Sequence, residues 1–255
     1  MISFNNKSFS IRSIFPALVL ILFSLSNSSA ADTCIECHKS DKFRIQNKAL
    51  FDYYNNWKDS IHDIAGVVCK DCHGGDPAKH DKKEAHKNNY TSLTSIDKSS
   101  FRQIPARCGE CHESVLNYYK KSKHYKALVE NETGPLCSTC HGSMNVEVYY
   151  TSIVTWTCKE CHNEYTGNRP EIVGEADKIL HRLNVSRAFK NWVSIYYADS
   201  KPEKVSEMNQ LYQDVADSWH KFDFAQLDEK SQQLLTSLKS LVNRGLAEKK
   251  KKRSK

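Results

Sequence analysis

Ten cysteines in a chain of 255 residues constrain this sequence most, because all of them fall into one repeated five-residue motif. The motif reads C-x-x-C-H. Its five copies, called motif 1 to motif 5, are Cys34–His38, Cys69–His73, Cys108–His112, Cys137–His141 and Cys158–His162. A disulfide framework has no need of a histidine after every second cysteine. A zinc site takes two C-x-x-C pairs, so five pairs leave one over.

The C-x-x-C-H motif is the attachment signature of c-type haem. Its two thiols reach two vinyl groups on one porphyrin edge, and the adjacent histidine offers a ring nitrogen to the iron. The sequence therefore predicts five covalently bound haem c groups. The thioether cysteines are Cys34, Cys37, Cys69, Cys72, Cys108, Cys111, Cys137, Cys140, Cys158 and Cys161, and the proximal iron ligands are His38, His73, His112, His141 and His162.

Hydrophobic residues make up 39% of the chain, which is low for a protein that buries a large core of side chains. Haem groups are large apolar plates that supply interior in their place. We therefore expect a mainly α fold with extensive loops, wrapped around a haem array and followed by a C-terminal helical bundle. The expected units are a signal peptide (1–31), a pentahaem region (32–168), a helical region (169–248) and a basic disordered tail (249–255).

The first 31 residues have the order of a secretory signal peptide. Lys7 and Arg12 precede an apolar run over 14–25, and small residues follow at 28–31. About twelve apolar residues make a helix of only ~18 Å, which is too short for a ~30 Å hydrocarbon core. We expect cleavage after Ala30 or Ala31 and a periplasmic or extracellular location. An uncleaved membrane anchor is the alternative.

Helical periodicity replaces the motifs after Pro170. Apolar residues recur at helical spacing over 172–195, again over 205–219 after Pro202, and a third time from Leu227 to a predicted end at Gly245. Three such helices form a small antiparallel bundle. It either covers the last haems or offers a surface for oligomerisation.

Six histidines lie outside the motifs, and the second axial position of each iron decides between carrier and catalyst. The six are His62, His80, His86, His124, His181 and His220. Six histidines for five positions favour full coordination and electron transfer. His80 has the most polar surroundings and is the least favoured. His181 and His220 would reach back from the C-terminal helices. Met144 and Met208 are the alternative thioether ligands.

The run Trp57-x-x-Ser60-x-His62, motif 2 with its Gly-Gly-Asp-Pro continuation, Ala85-His86, and Ser122-x-His124 ahead of motif 4 resemble periplasmic multihaem cytochromes c. These are relatives of cytochrome c-554, hydroxylamine oxidoreductase and nitrite reductase. The resemblance implies that His62, His86 and His124 are distal ligands. All five motifs end in histidine, whereas cytochrome c nitrite reductases bind their catalytic haem through C-x-x-C-K. Hydroxylamine oxidoreductases carry eight haems and a crosslinked tyrosine, and no feature here identifies such a tyrosine.

The formal charge of +7 falls to +5 without Lys7 and Arg12, and six basic residues lie in 249–255. Each oxidised haem with ionised propionates adds about −1, which removes the support for a nucleic-acid partner. We expect an electron carrier between redox partner proteins, alone, as a homo-oligomer or in a larger multihaem complex, with membrane contact not required. The alternatives are a haem enzyme with one open iron that acts on a small nitrogen or sulfur compound, and a membrane-anchored quinol-oxidising cytochrome.

Overall fold

The structure is a computed structural model that describes residues 32–87, 99–146 and 151–254. These ranges contain helices and no strands, so the predicted mainly α class is confirmed. The predicted signal peptide, 1–31, lies outside the described residues. Within the described part of the chain, no helix is long and apolar enough to cross a membrane.

Eleven helices, most of them short, form the described part of the motif region. They are α1 (Thr33–His38), α2 (Asp41–Gln46), α3 (Lys48–Trp57), α4 (Ile61–Ile64), α5 (Cys69–His73), α6 (Lys82–Ala85), α7 (Ser99–Gly109), α8 (Glu113–Tyr119), α9 (Lys123–Asn131), α10 (Cys137–His141) and α11 (Thr151–Cys161). Side-chain oxygens of Asp32, Ser40, Ser60, Asp81 and Ser122 accept hydrogen bonds from the first turns of α1, α2, α4, α6 and α9. Such caps satisfy backbone donors that have no partner inside the helix, which lets helices this short form.

The beginning of α1 is attached to the loop after motif 2. Thr33 is buried, and its hydroxyl donates hydrogen bonds to the carbonyls of Pro77 and Lys79, at 2.9 and 2.8 Å. Its backbone N–H also donates to Pro77. These bonds bring motif 1 beside motif 2.

Three long helices share one apolar core in the C-terminal region. They are α12 (Ile172–Tyr196), α13 (Pro202–Ser218) and α14 (Phe224–Arg253). Pro202 opens α13, where its missing N–H costs no hydrogen bond. The core includes Ile179, Val193, Leu234 and Leu238, each at most 1% exposed.

Helices α12 and α14 run parallel to each other. Helix α13 runs in the opposite direction, from the end of α12 to the start of α14. Asp228 near the start of α14 pairs with Lys178 and Arg182 near the start of α12. At the other end, the Tyr197 hydroxyl after α12 donates to the carbonyl of Leu241 on α14. The three-residue 3-10 helix Trp219–Lys221, called the 219–221 turn, joins α13 to α14 and packs on α8. The C-terminal helices therefore contact the motif region through this turn.

The structure corrects two predictions about the third long helix. Gly245 does not end it, because α14 continues to Arg253. A Cβ at Gly245 would lie 2.6 Å from Cη2 of Trp192 and 2.8 Å from Cε1 of Tyr196, so the glycine permits a close approach of α12 instead. The basic stretch from 249 was expected to be disordered, but it is helical through Arg253. Lysines have good helix propensity, and here they extend a helix that is already nucleated and packed.

Candidate haem-binding sites

Each motif lies on one helical turn or directly after it. Motifs 1, 2 and 4 lie on α1, α5 and α10, motif 3 begins in the last turn of α7, and motif 5 lies in the last turn of α11 with His162 directly after it. The backbone N–H of His112 donates to Cys108 at 2.9 Å, and that of His162 donates to Cys158 at 2.8 Å. Positions i, i+3 and i+4 of a helix share one face. The helical turn therefore presents both thiols and the imidazole of a motif on the same side.

Thiols of consecutive motifs are neighbours at the start of the chain. Burial, Asp32 and then the nearby Cys69 raise the pKa of Cys34 to about 12. Burial, followed by the neighbouring Cys108, raises the pKa of Cys72. These electrostatic interactions between thiols indicate that motif 1 lies near motif 2 and motif 2 near motif 3.

The same relationship continues to the last motif. The interaction of its thiol with that of Cys137, followed by burial, raises the pKa of Cys108. Burial, and then the nearby Cys158 and Cys161, raise the pKa of Cys140 to about 11. Each motif therefore lies near the next one in the sequence, and we call this succession of neighbours, from motif 1 to motif 5, the row.

Four histidines outside the motifs face a motif histidine. The pairs are His38 with His86, His62 with His112, His124 with His162, and His141 with His220, with ring centroids 6.3, 6.1, 6.0 and 6.1 Å apart. Each pair contains one motif histidine and one of the predicted distal histidines. The structure thus brings four of the five distal candidates to a motif.

The spacing within the pairs fits a metal ion between the two rings. A metal–imidazole bond is about 2.0 Å long and a ring nitrogen lies about 1.1 Å from its centroid, so two imidazoles on opposite sides of one ion have centroids about 6 Å apart. Stacked rings here are closer, as in His38–Phe43 at 4.8 Å and Trp192–Tyr196 at 4.6 Å, whereas tilted rings such as Tyr54–Trp57 are also 6.3 Å apart. The four pairs are distinguished by their composition, since each joins one motif histidine to one histidine outside the motifs. The residues present therefore fit bis-histidine coordination of a haem iron at four sites.

Backbone carbonyls orient several of these rings. The Nδ1 atoms of His86, His162 and His220 lie 2.7, 2.7 and 3.1 Å from the carbonyl oxygens of Lys82, Asn168 and Asp217. An Nδ1–H that donates to a carbonyl leaves Nε2 as the lone-pair nitrogen, which is the usual arrangement for a metal-bound histidine. His124 differs, since its Nδ1 is buried and has no partner among the described residues.

Burial keeps several paired histidines in the neutral form that binds metals. It lowers the pKa of His62, of His124 and of His220, and the facing histidine of each pair lowers it further. Burial, then His86 and His73, lower the pKa of His38. A neutral imidazole has a free lone pair at neutral pH, whereas an imidazolium has none.

Serine N-caps explain the S-x-H arrangements seen in the sequence. Ser60 and Ser122 are buried N-cap residues, and their hydroxyls accept hydrogen bonds from the backbone N–H groups of Asp63 and Tyr125. The histidine two positions later, His62 or His124, is then held in the first turn of α4 or α9. The cap thereby fixes the backbone that carries the predicted ligand.

Exposed apolar side chains flank several motif and pair histidines. Ile61 and Ile64 beside His62 are 50% and 75% exposed, and Trp156, two residues before Cys158, is 64% exposed. Large apolar groups rarely remain exposed together unless they contact another surface. Their placement suits a flat apolar group held at these positions.

The remaining candidates lie elsewhere. His181 is exposed on α12, and the four ring pairs of the described residues do not include it. His80 is also exposed, and its Nδ1 lies 3.9 Å from Glu36. Met208 is 5% exposed within the C-terminal core, and Met144 is half-buried after motif 4. His73 is half-buried on α5, where burial lowers its pKa.

Sequence reasoning did not find the groups that orient the ligands. The carbonyls of Lys82, Asn168 and Asp217 are backbone acceptors, which leave no mark on residue identity. Phe222, whose ring lies edge-on against His124 with centroids 4.4 Å apart, follows the 219–221 turn and also gave no signal.

In comparisons with known proteins, no protein-family model, no curated protein and no solved structure matches this chain.

Proposed function

We propose that this chain is an exported five-haem cytochrome c that relays electrons between redox partner proteins. The observation that supports it most is the set of four histidine pairs, each with one motif histidine and with ring centroids 6.0–6.3 Å apart. Haem c supplies reversible one-electron chemistry when it is bound. The residues of the chain attach, orient and shield these groups.

The paired histidines favour electron transfer over catalysis. Two histidines facing each other across one iron site fill both axial positions and leave none for a substrate. The four pairs, which contain His86, His112, His124 and His220, therefore leave no open axial position at four iron sites. The cysteines of each motif would hold the group covalently, which prevents its loss outside the cell.

The arrangement of the motifs in a row suits a relay. Consecutive motifs are neighbours, as the thiols of Cys72 and Cys108 and those of Cys108 and Cys137 indicate. A row has two ends, here motif 1 and motif 5, and a relay needs one end for the donor and the other for the acceptor. Covalent tethers on short capped helices would keep the neighbours at fixed separation.

The predicted signal peptide and the resemblance to periplasmic multihaem cytochromes c support the location. We propose that 1–31 is removed during export and that the mature chain begins near Asp32. Partners would be redox proteins, with self-association or a larger multihaem assembly compatible with the same sites. Neither nucleic acid nor obligatory membrane contact is part of the proposal.

The first test is the composition of the mature protein. The full chain is expressed in a host with a cytochrome c maturation system, and intact mass and N-terminal sequence are determined on the purified protein. We expect five covalent haems and a first residue near Asp32. The double variant Cys137→Ser, Cys140→Ser should carry four haems. Fewer than five in the parent protein, or a retained Met1, would refute the attachment or the cleavage.

The second test is electron paramagnetic resonance of the oxidised protein with and without nitrite, together with optical spectroscopy of the reduced protein with and without carbon monoxide, which binds ferrous haem. A carrier predicts low-spin signals that these ligands leave unchanged. One high-spin iron per chain that responds to either ligand would refute the carrier and support the enzyme alternative. His80→Ala tests the iron of motif 2, because His80 and His181 are the two histidines of the sequence outside the motifs and the four pairs.

A further inference from the structure

His124 differs from the other distal histidines whose hydrogen bonds are described. The Nδ1 atoms of His86 and His220 lie within hydrogen-bonding distance of a backbone carbonyl, whereas the Nδ1 of His124 is buried and has no acceptor among the described residues. Buried polar groups in folded proteins nearly always have partners, so an exception calls for a physical explanation.

An aromatic ring occupies the position beside His124. The ring of Phe222 lies edge-on against that of His124, with centroids 4.4 Å apart and an interplanar angle of 72°. Phe222 adopts the left-handed conformation, with φ at 56°, and its ring also packs against Trp219. A bulky residue rarely takes this conformation, so the surrounding structure holds it there. The contact therefore orients His124 by packing, without supplying an oxygen acceptor.

The hydrogen bond at Nδ1 controls how strongly an imidazole donates electrons to a metal. An Nδ1–H that donates to a carbonyl makes the opposite nitrogen more basic and stabilises the more positive, oxidised metal. A ligand without this bond donates less, so the reduced state becomes relatively more favourable. Apolar packing around the ligand acts in the same direction, because a low-polarity surrounding disfavours the extra positive charge of ferric iron.

We propose that the Nδ1 of His124, which has no hydrogen-bond partner among the described residues and packs against Phe222, raises the reduction potential of the iron between His124 and His162 above that of the iron between His141 and His220. The inference rests on the proposed function, because it requires haem at both sites. His162, in motif 5, and His220, which faces motif 4, each have a backbone carbonyl near Nδ1. At the motif 5 site, the ligand without such a carbonyl among the described residues is His124. An electron shared between these two neighbouring irons would then favour the motif 5 iron.

The direct test compares the two irons in the purified five-haem protein. A redox titration followed by electron paramagnetic resonance gives a midpoint for each low-spin signal. His124→Ala and His220→Ala identify the two signals, because each removes the signal of its own iron. We expect the signal assigned to motif 5 to be reduced at higher potential than that of motif 4. The reverse order, or equal midpoints, would overturn the inference.

A second test adds an acceptor beside His124. Phe222→Asn suits the left-handed backbone and offers a side-chain carbonyl, and Phe222→Gln offers the same group with a longer reach. We expect at least one of them to shift the motif 5 iron alone toward lower potential, by about tenfold in its one-electron reduction equilibrium, or about 59 mV. Phe222→Leu is the matched control, since it removes the ring but adds no acceptor.

The outcomes separate the two proposals. A protein without five covalent haems would refute the proposed function before any potential is compared. Five low-spin haems with the motif 5 iron at or below the motif 4 iron would leave the carrier intact and overturn the role of His124. An equal shift in Phe222→Leu and Phe222→Asn would assign the effect to packing and overturn the hydrogen-bond argument.

Discussion

His141 and His220 come from distant parts of the sequence, yet their ring centroids lie 6.1 Å apart. His141 closes motif 4, and His220 lies in the 219–221 turn between α13 and α14. The backbone carbonyl of Asp217 lies 3.1 Å from Nδ1 of His220, which leaves the other ring nitrogen to face His141. The C-terminal helices therefore contribute a candidate ligand as well as a cover.

Replacing His220 should open one iron. His220→Ala removes an axial ligand, so we expect one haem in five to exchange its low-spin signal for a high-spin signal when oxidised and to bind carbon monoxide when reduced. Electron paramagnetic resonance of the oxidised protein and optical titration of the reduced protein measure the change.

His181→Ala is the control for this substitution. His181 is also a histidine of the C-terminal helices, but it is exposed on α12. We expect its spectrum to match that of the parent protein. A high-spin signal in His181→Ala, or none in His220→Ala, would show that the ligand comes from elsewhere.

His181 and His220 show which part of the candidate site the sequence pattern could not predict. His181 shares a helix face with apolar residues and His220 follows an apolar stripe, so the local pattern predicted both equally as ligands. Helix α13 returns along α12 and is followed by the 219–221 turn. This path places His220, and not His181, beside motif 4. Pairing across such sequence distances depends on tertiary packing, which periodicity does not encode.

Local signals were informative where a local cause sets the structure. The apolar period predicted α12 closely, and Pro202 marked the boundary before α13 because proline lacks the N–H that a helix interior needs. Gly245 misled because a glycine late in a helical stripe has two explanations, a C-cap or a close approach. The second applies here, and it depends on Trp192 of another helix.

The N-cap Ser122 should affect both stability and coordination. Its hydroxyl accepts a hydrogen bond from the backbone N–H of Tyr125, 3.0 Å away, and starts the helix that carries His124. Ser122→Ala should lower the free energy of unfolding by about 1 kcal/mol and broaden the low-spin signal of one iron. Chemical denaturation and electron paramagnetic resonance measure the two effects.

Ser40→Ala separates the cap from the ligand. Ser40 caps α2 in the same way, but α2 carries no candidate ligand. Phe43 of α2 stacks on His38 of motif 1, so the relevant readout is the iron beside His124. We expect a similar or smaller loss of stability and no change in the signal of that iron. Equal spectra for both variants would mean that the cap of α9 does not position His124.

Asp228 should make stability depend on acid pH. Hydrogen bonds from Arg182 and then Lys178 lower the pKa of this carboxyl below its ordinary 3.8. A lowered folded-state pKa adds stability that is present above the unfolded value and is lost as pH falls through the folded one. Asp228→Asn should therefore cost up to about 1 kcal/mol at pH 7, and the difference should shrink between about pH 5 and pH 2.

Urea titrations followed by circular dichroism at several pH values measure this difference. Asp177→Asn is the control, because Asp177 is exposed on α12 and takes part in no ion pair among the described residues. Its effect should be small at every pH. A difference for Asp228→Asn that stays constant down to pH 2 would contradict the ion pairs as its cause.

Gly245 and Gly174 should respond in opposite directions to the same substitution. A Cβ at Gly245 would lie 2.6 Å from Trp192 and 2.8 Å from Tyr196, whose rings are stacked on each other and have little room to move. Overpacking of this kind costs about 1–3 kcal/mol, whereas the gain in helix propensity from glycine to alanine is at most about 1 kcal/mol. Gly245→Ala should therefore destabilise the protein.

Gly174, in the first turn of α12, has open space beside its Cα, since no atom of the described residues would lie within 4 Å of a Cβ there. Gly174→Ala should keep only the propensity gain and stabilise the protein by up to about 1 kcal/mol. Thermal and urea denaturation of both variants give the comparison. If both variants were stabilised, α12 and α14 would not approach as closely as Gly245 permits. The parallel packing that brings the 219–221 turn to motif 4 would then lose its support.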